Sequence, residues 1–370
     1  AKVYGPENVY DFSVGNPGLH PPKEYREAIN YVNNEMDPHL VHGYMPNAGF
    51  ESTRTAVAEN LNKRFGSNFT FENIIMTVGA GSSINVIMKT IFDPGDKQVV
   101  FAPYFVEYAN WASNYHAETV VVPPNEANGF EPDPEALKKA LDPKVKVVII
   151  NNPNNPTGAI YSRETLEKIA EVLKEAEKEY GHPIYIITDE PYRELVYVDK
   201  EIVFIPDLYD NTIIAYSWSK SLSIPGDRLG YLAVSPKSDN VEEFMAAATV
   251  ANRISGDTNA PSIIQLAVER CLDAQVDIPY YKKNAEDLYK IVTDAGFTAV
   301  VPQGAFYLWV KSPVADEKEL VAAAKEERIL AVPGSAFACP GYIRLSFCIS
   351  NETIQRSAES FAKLGKKYFG

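Results

Sequence analysis

The sequence predicts an α/β fold: a large, mostly parallel sheet with helices on both faces, joined to a smaller α+β domain. Three observations lead there. Short runs rich in Val and Ile alternate with segments of helical apolar spacing, as buried parallel strands alternate with their crossover helices. Each run ends in glycine or polar residues, at the edge where open α/β sheets bind ligands. Finally, 370 residues exceed what one simple core accommodates and suit two domains.

Taken in order, Ile74 to Val78 runs into Gly79, Ala80, Gly81, Ser82 and Ser83, after which Ile84, Ile87, Met88 and Ile91 mark a helix face. Backbone N–H groups at such a helix start can hold a phosphate. Val99 to Ala102 leads into Pro103, Tyr104 and Phe105, and Val145 to Ile150 leads into the loop Asn151 to Gly158. Next comes a helix that Ser162 caps, with Leu166, Ile169, Ala170, Leu173 and Ala176 on its apolar face and Gly181 and Pro183 as its stop. Ile184 to Thr188 ends at Asp189 and Tyr192, and Thr212 to Tyr216 ends at Ser217, Ser219 and Lys220. Farther on, Tyr280 to Tyr289 starts an amphipathic helix and Gly304 to Val310 alternates like a strand. The segment 36–271 reads as the large domain.

Lys220 follows an apolar strand between serines, and its amine there can form a Schiff base. Ser217 and Ser219 supply hydroxyl donors and Arg228 a cation, a surround that matches a phosphate attached to an aldehyde, as in pyridoxal phosphate. Taken alone, the segment is also compatible with a solvated lysine after a core strand.

Composition narrows the function classes. Net charge is −14, which argues against a nucleic-acid partner. No apolar run has transmembrane length, so no membrane role is expected. Cys271, Cys339 and Cys348 are too few for a disulfide framework, and Ala1 to Pro6 shows no apolar signal segment; the expected location is the cytoplasm. His39 and His42 lack a third ligand nearby, so no metal is expected.

Four motifs, in order and at matching spacing, make the chain resemble class I/II aminotransferases of the aspartate aminotransferase superfamily: Asn155 to Gly158, Asp189 with Tyr192, Ser217 to Lys220 followed by Arg228 and Gly230, and Tyr342 to Ser346. The resemblance covers nearly the whole chain. It implies a fold-type I enzyme dependent on pyridoxal 5'-phosphate, whose smaller domain joins residues 1–35 to 272–370. Lys220 is then the covalent anchor and proton carrier, Asp189 the partner of the pyridine nitrogen, and Tyr192 and Asn155 the donors to the phenolic oxygen. Phe105 lies on the ring; Ala80, Gly81, Ser82, Ser217, Ser219 and Arg228 surround the phosphate. Arg344 grips the substrate α-carboxylate and Gly15 belongs to the loop that closes over it. Tyr44 and Thr258 match residues that reach the phosphate of the other subunit, implying a homodimer with shared sites. The implied substrates are an L-amino acid and a 2-oxo acid such as 2-oxoglutarate. Arg253 is the candidate for a distal carboxylate, which favours an aspartate-type donor, although it falls one position from its place in aspartate-specific relatives.

Three other readings compete. A dinucleotide site explains Gly79 and Gly81 but lacks the third glycine. A carbon–sulfur β-lyase shares the fold, lysine and aspartate, and release of pyruvate and ammonia from cystathionine distinguishes it. A non-enzymatic, cofactor-sensing regulatory domain leaves Arg344 without a purpose.

Overall fold

A computed structural model of the chain describes residues 5 and 8–370. The strands are β1 (Tyr10–Asp11), β2 (Ile74–Thr77), β3 (Lys97–Phe101), β4 (Glu118–Val122), β5 (Val145–Asn151), β6 (Tyr185–Asp189), β7 (Thr212–Ser217), β8 (Gly230–Val234), β9 (Tyr307–Lys311), β10 (Ile329–Leu330), β11 (Val332–Pro333) and β12 (Tyr342–Ser346). Seven of them form the central sheet in the order β2-β8-β7-β6-β5-β3-β4. The five runs expected from sequence are β2, β3, β5, β6 and β7. Two further strands, β4 and β8, had not been anticipated, because β4 is half-exposed and β8 follows a loop rather than a helical pattern.

One feature departs from a wholly parallel sheet. β8 runs antiparallel to both β2 and β7. Its amino end therefore lies at the same edge as the carboxyl ends of its neighbours, and Arg228, two residues before it, is delivered to that edge.

Gly230 opens β8 at a crowded point. A Cβ there would fall 2.4 Å from the Tyr216 carbonyl oxygen and 2.8 Å from the backbone of Gly79, so only glycine lets β8 close against β7 and the start of the helix Ala80–Ile91.

The sheet is covered on both faces. Ile84, Ile87 and Met88 pack on one side with Ile75, Ile187 and Ile213, while Leu166, Ile169 and Leu173 cover Val148, Ile150 and Ile186 on the other. The helix Arg163–Tyr180 behaves as its sequence predicts: the Ser162 hydroxyl accepts from Thr165 N–H, and Gly181 ends it in a left-handed conformation.

The smaller unit pairs β11-β12-β9 antiparallel, with β1 parallel to β10, around a core of Phe12, Tyr281, Phe306, Leu345 and Phe347. Packing departs from the expected division at residues 35 and 271. Tyr25, Ala28 and Val32 of the helix Lys23–Glu35 share a core with Ile74, Met76 and Ile214 of the central sheet. Their spacing makes one apolar stripe, which the helix Ser262–Val268 covers. Leu19 and Val276 pack with the smaller core, whereas Tyr25 and Ala274 pack with the larger, so the contacts favour divisions near residues 20 and 275. Among the described residues no helix is long and apolar enough to cross a membrane.

Gly230→Ala is expected to destabilise the fold by about 1–3 kcal/mol, the usual cost of overpacking. An unchanged urea midpoint would show that β8 and the Gly79 turn separate without strain.

Candidate active site

A cleft of about 500 Å³ opens at the carboxyl edge of the central sheet, where the smaller unit faces it. Its lining includes Gly15, Ala80, Gly81, Phe105, Asn155, Asp189, Tyr192, Ser217, Ser219, Lys220, Arg228 and Arg344. Most of the residues singled out from sequence thus meet in one place, carried by strand ends, by the loops beside them, by the start of the helix Ala80–Ile91 and, for Arg344, by the middle of β12.

Asp189 closes β6 and is buried. Tyr108 donates to its Oδ2 at 2.5 Å and Asn151 Nδ2 lies 3.4 Å from the same oxygen; among the described residues no hydrogen bond reaches Oδ1. Burial drives the carboxyl up to about 7, with the Tyr108 hydrogen bond opposing and Glu190 adding to the rise. A carboxylate this buried calls for a cation, and none of the described side chains supplies one.

Lys220 shows the complementary effect. Burial, helped by the nearby charges of Arg344 and Arg228 and opposed by Cys348, lowers its amine to about 8. Nζ donates to the Gly15 carbonyl at 2.6 Å. An amine so placed is neutral for a useful fraction of molecules near pH 8, the form required for nucleophilic attack.

Around the start of the helix Ala80–Ile91 the cleft is anion-seeking. Gly79 has φ +101° and no side chain caps the helix, so its first N–H groups are open to a ligand. Arg228 donates to the carbonyls of Pro225 at 2.8 Å and Val78 at 2.9 Å, and a Cβ on Gly79 would fall 2.6 Å from its Nη2. Glycine therefore lets the guanidinium lie against the turn. Ser217 and Ser219 line the same region.

Arg344 is buried. Its guanidinium lies 4.3 Å from the centre of the Tyr307 ring and 4.8 Å from that of Phe337. Nη1 donates to Asn155 Oδ1 at 3.0 Å, Nη2 to the Ser13 carbonyl at 2.9 Å, and Nε has no partner. Among the described residues, every hydrogen-bond partner of Lys220, Arg228 and Arg344 is a neutral oxygen. An arginine held flat between rings without an anion suits a carboxylate ligand.

Four residues named from sequence lie outside this lining. Ser82 borders a neighbouring recess with Asn85, Lys89 and Ser255. Tyr44 is 95% exposed, Arg253 is exposed at the end of the helix Val241–Ile254, and Thr258 is half-buried beyond it. Conversely, Tyr108, Asn151, Trp111 and Tyr307 were not singled out. Tyr108 lies one turn after Phe105, and only the fold brings it 81 residues along the chain to Asp189. Asn151 joins the ends of β5 and β6 by donating to the Asp189 carbonyl at 2.9 Å and accepting from Asn155 N–H at 2.7 Å. Phe105 stands edge-on to both Tyr108 and Trp111.

The donor set fits a phosphorylated, aldehyde-bearing pyridine: an anion cradle, a depressed amine, a carboxylate lacking its cation, and an aromatic ring beside the cleft. Fold and site together are those of an enzyme class built to receive amines and carboxylates. The model of the family aminotransferase class I and II matches residues 7–361, and the chain belongs to that family. It is 32% identical over 363 residues to an aspartate/prephenate aminotransferase of Thermus thermophilus, covering 95% of this chain and 90% of that protein. It is 30% identical to aromatic-amino-acid aminotransferase 2 of Thermococcus litoralis, over 98% of this chain and 93% of the relative. Among solved structures, an amino transferase from Eubacterium rectale superposes with a TM-score of 0.97 at 40% identity, covering all of this chain and 93% of that one. The chain is an aminotransferase.

Without cofactor, Asp189 keeps a proton in the folded state that the unfolded chain releases above 3.8. Raising the pH through about 7 therefore costs stability, because the folded carboxylate must then ionise while buried. In cofactor-free protein, Asp189→Asn is expected to raise the thermal midpoint at pH 8, with the gain fading as pH falls toward 4. A gain that does not change with pH would contradict the uncompensated charge.

Proposed function

We propose that the chain uses pyridoxal 5'-phosphate to transfer an amino group from an L-amino acid to a 2-oxo acid such as 2-oxoglutarate, as a cytoplasmic homodimer. The observation that carries this reading is the meeting of Lys220, Asp189 and Arg344 in one cleft, each without a counter-ion among the described residues. Bound there, the cofactor supplies a carbon that takes amines covalently and a conjugated ring that accepts electron density.

The chain's own residues do the rest. Lys220 Nζ would hold the cofactor and, as a free amine, would take the proton from the substrate Cα and return it on the cofactor side. Asp189 Oδ1 keeps the pyridine nitrogen protonated, so that the ring stays cationic. The Gly79 turn, Ser217, Ser219 and Arg228 hold the phosphate. Arg344 and Asn155 hold the α-carboxylate, which fixes Cα above Lys220. Gly15 and its neighbours cover the bound substrate and exclude water. Tyr44 and Thr258 would reach the partner's phosphate, a role consistent with the exposure of Tyr44 in the single chain.

Lys220→Ala is expected to abolish the yellow, visible absorption that the wild type acquires with pyridoxal phosphate, and to lower transamination by several orders of magnitude. Borohydride reduction followed by peptide mapping checks the anchor; labelling of a different lysine contradicts the assignment.

Substrate choice follows from the cations. Lys220, Arg228 and Arg344 line the cleft and each has a role, so a distal carboxylate would need Arg253 from the partner subunit. The named relatives, acting on aspartate, prephenate and aromatic amino acids, are compatible with that and with a neutral side chain. Arg344→Ala is expected to raise the KM of every donor, by about 2–5 kcal/mol of lost carboxylate binding, with cofactor affinity nearly unchanged. Arg253→Ala is expected to penalise aspartate and glutamate far more than alanine or tyrosine. Equal penalties, measured across a donor panel, would remove Arg253 from the substrate site.

A further inference from the structure

Tyr307 opens β9 and is 3% exposed. Its hydroxyl lies 2.8 Å from that of Tyr192, with the two rings 5.8 Å apart and nearly perpendicular. Neither phenol has another hydrogen-bond partner among the described residues. Each carries one proton, so one of the two must donate to the other, and the choice decides where the Tyr192 proton points.

The surroundings favour one direction. Tyr307 has Arg344 against its ring face and Gly15 pressed against its hydroxyl, where an added Cβ would fall 2.3 Å away. Its proton therefore has Tyr192 as its acceptor. Tyr192 lines the cleft, as Tyr307 does, and once it accepts from Tyr307 its own proton is left to turn toward the cofactor side. Electrostatics agree: burial raises both phenols and Arg344 opposes the rise in both, standing directly after burial for Tyr307 but behind the Tyr307 hydroxyl for Tyr192, and the contact between the two hydroxyls lowers Tyr307 while it raises Tyr192. The phenol nearer the cation is the stronger acid and so the better donor.

We infer that Tyr307 is a positioning residue for the reaction: by donating to Tyr192 Oη, it turns the Tyr192 proton toward the phenolic oxygen of the cofactor and strengthens that donation. The inference rests on the reading that pyridoxal phosphate occupies the cleft. Chained hydroxyls polarise one another, strengthening each bond by about 10–30%. A stronger donor stabilises the anionic oxygen and lowers its hold on the proton it shares with the lysine-bound nitrogen.

The test reads the pH midpoint of the visible absorption of the loaded protein without substrate. Tyr307→Phe keeps the ring that packs on Arg344 and removes only the hydroxyl. It is expected to retain the visible band and move its midpoint upward by a few tenths of a pH unit, up to about 0.7, which is that fractional strengthening applied to a charge-assisted bond. Gly15→Ala, whose methyl displaces the same hydroxyl, should move the midpoint in the same direction. In a Tyr192→Phe background, Tyr307→Phe should add nothing. An unchanged midpoint in Tyr307→Phe, or an equal shift with and without Tyr192, overturns the inference, since a packing role would leave the midpoint where it was. If the wild type develops no visible band with pyridoxal phosphate, the cofactor reading itself fails and this inference falls with it.

Discussion

Burying charge without counter-charge is the constraint on which this molecule is organised. Asp189, Lys220 and Arg344 converge on one cleft, and each is held by neutral oxygens and hydroxyls rather than by an opposite charge. Desolvation then moves the carboxyl up and the amine down, toward the pH where both can exchange protons. Ordinary ion pairs would have left these groups no charge for a ligand to complete. The contrast lies next door: Glu190 pairs with the buried Arg193 at 2.5 Å, so the residue beside Asp189 has what Asp189 lacks.

This concentration of charge is possible because the sheet gathers its chemistry along one edge. Parallel strands end on the same side, so Asn151, Asp189 and Ser217 are neighbours although 38 and 28 residues separate them in turn. The single reversed strand, β8, keeps the pattern intact, because its start rather than its end faces the cleft and brings Arg228 there. The cost is crowding at Gly230, where an added Cβ would meet the backbone of Tyr216 and Gly79, and at Gly79, where it would meet the Arg228 guanidinium. Across the cleft, the smaller unit contributes Arg344 from β12 and Tyr307 from β9, adjacent antiparallel strands on which Arg344 pairs with Trp309.

Much of the site was legible because its motifs are local. Lys220 with its serines, Asp189 with Tyr192, and Asn155 in its Pro-Thr-Gly loop each sit within a few residues of a strand end, where an apolar run makes the boundary visible. The helix Arg163–Tyr180 was legible for the same reason, since cap, apolar stripe and stop lie within one segment. Tyr108 and Tyr307 were not legible. Each is one tyrosine among 22, and its importance depends on a hydroxyl contact made across 81 or 115 residues. Likewise the burial of Arg344 depends on Tyr307 and Phe337 closing over its two faces, which strand alternation alone does not reveal.

The amino-acid sequence by itself determined the class of fold and the placing of Lys220, Asp189 and the Gly79 turn beside strand ends, because these follow from short-range patterns of apolar and polar residues. Tertiary structure alone decided that the helix Lys23–Glu35 joins the large core, that β8 runs backwards, and that among the described residues no cation meets Asp189. Those outcomes depend on which surfaces pack together and on the loss of water between distant groups. Neither is written in any single segment, since burial and pairing are properties of the assembled chain.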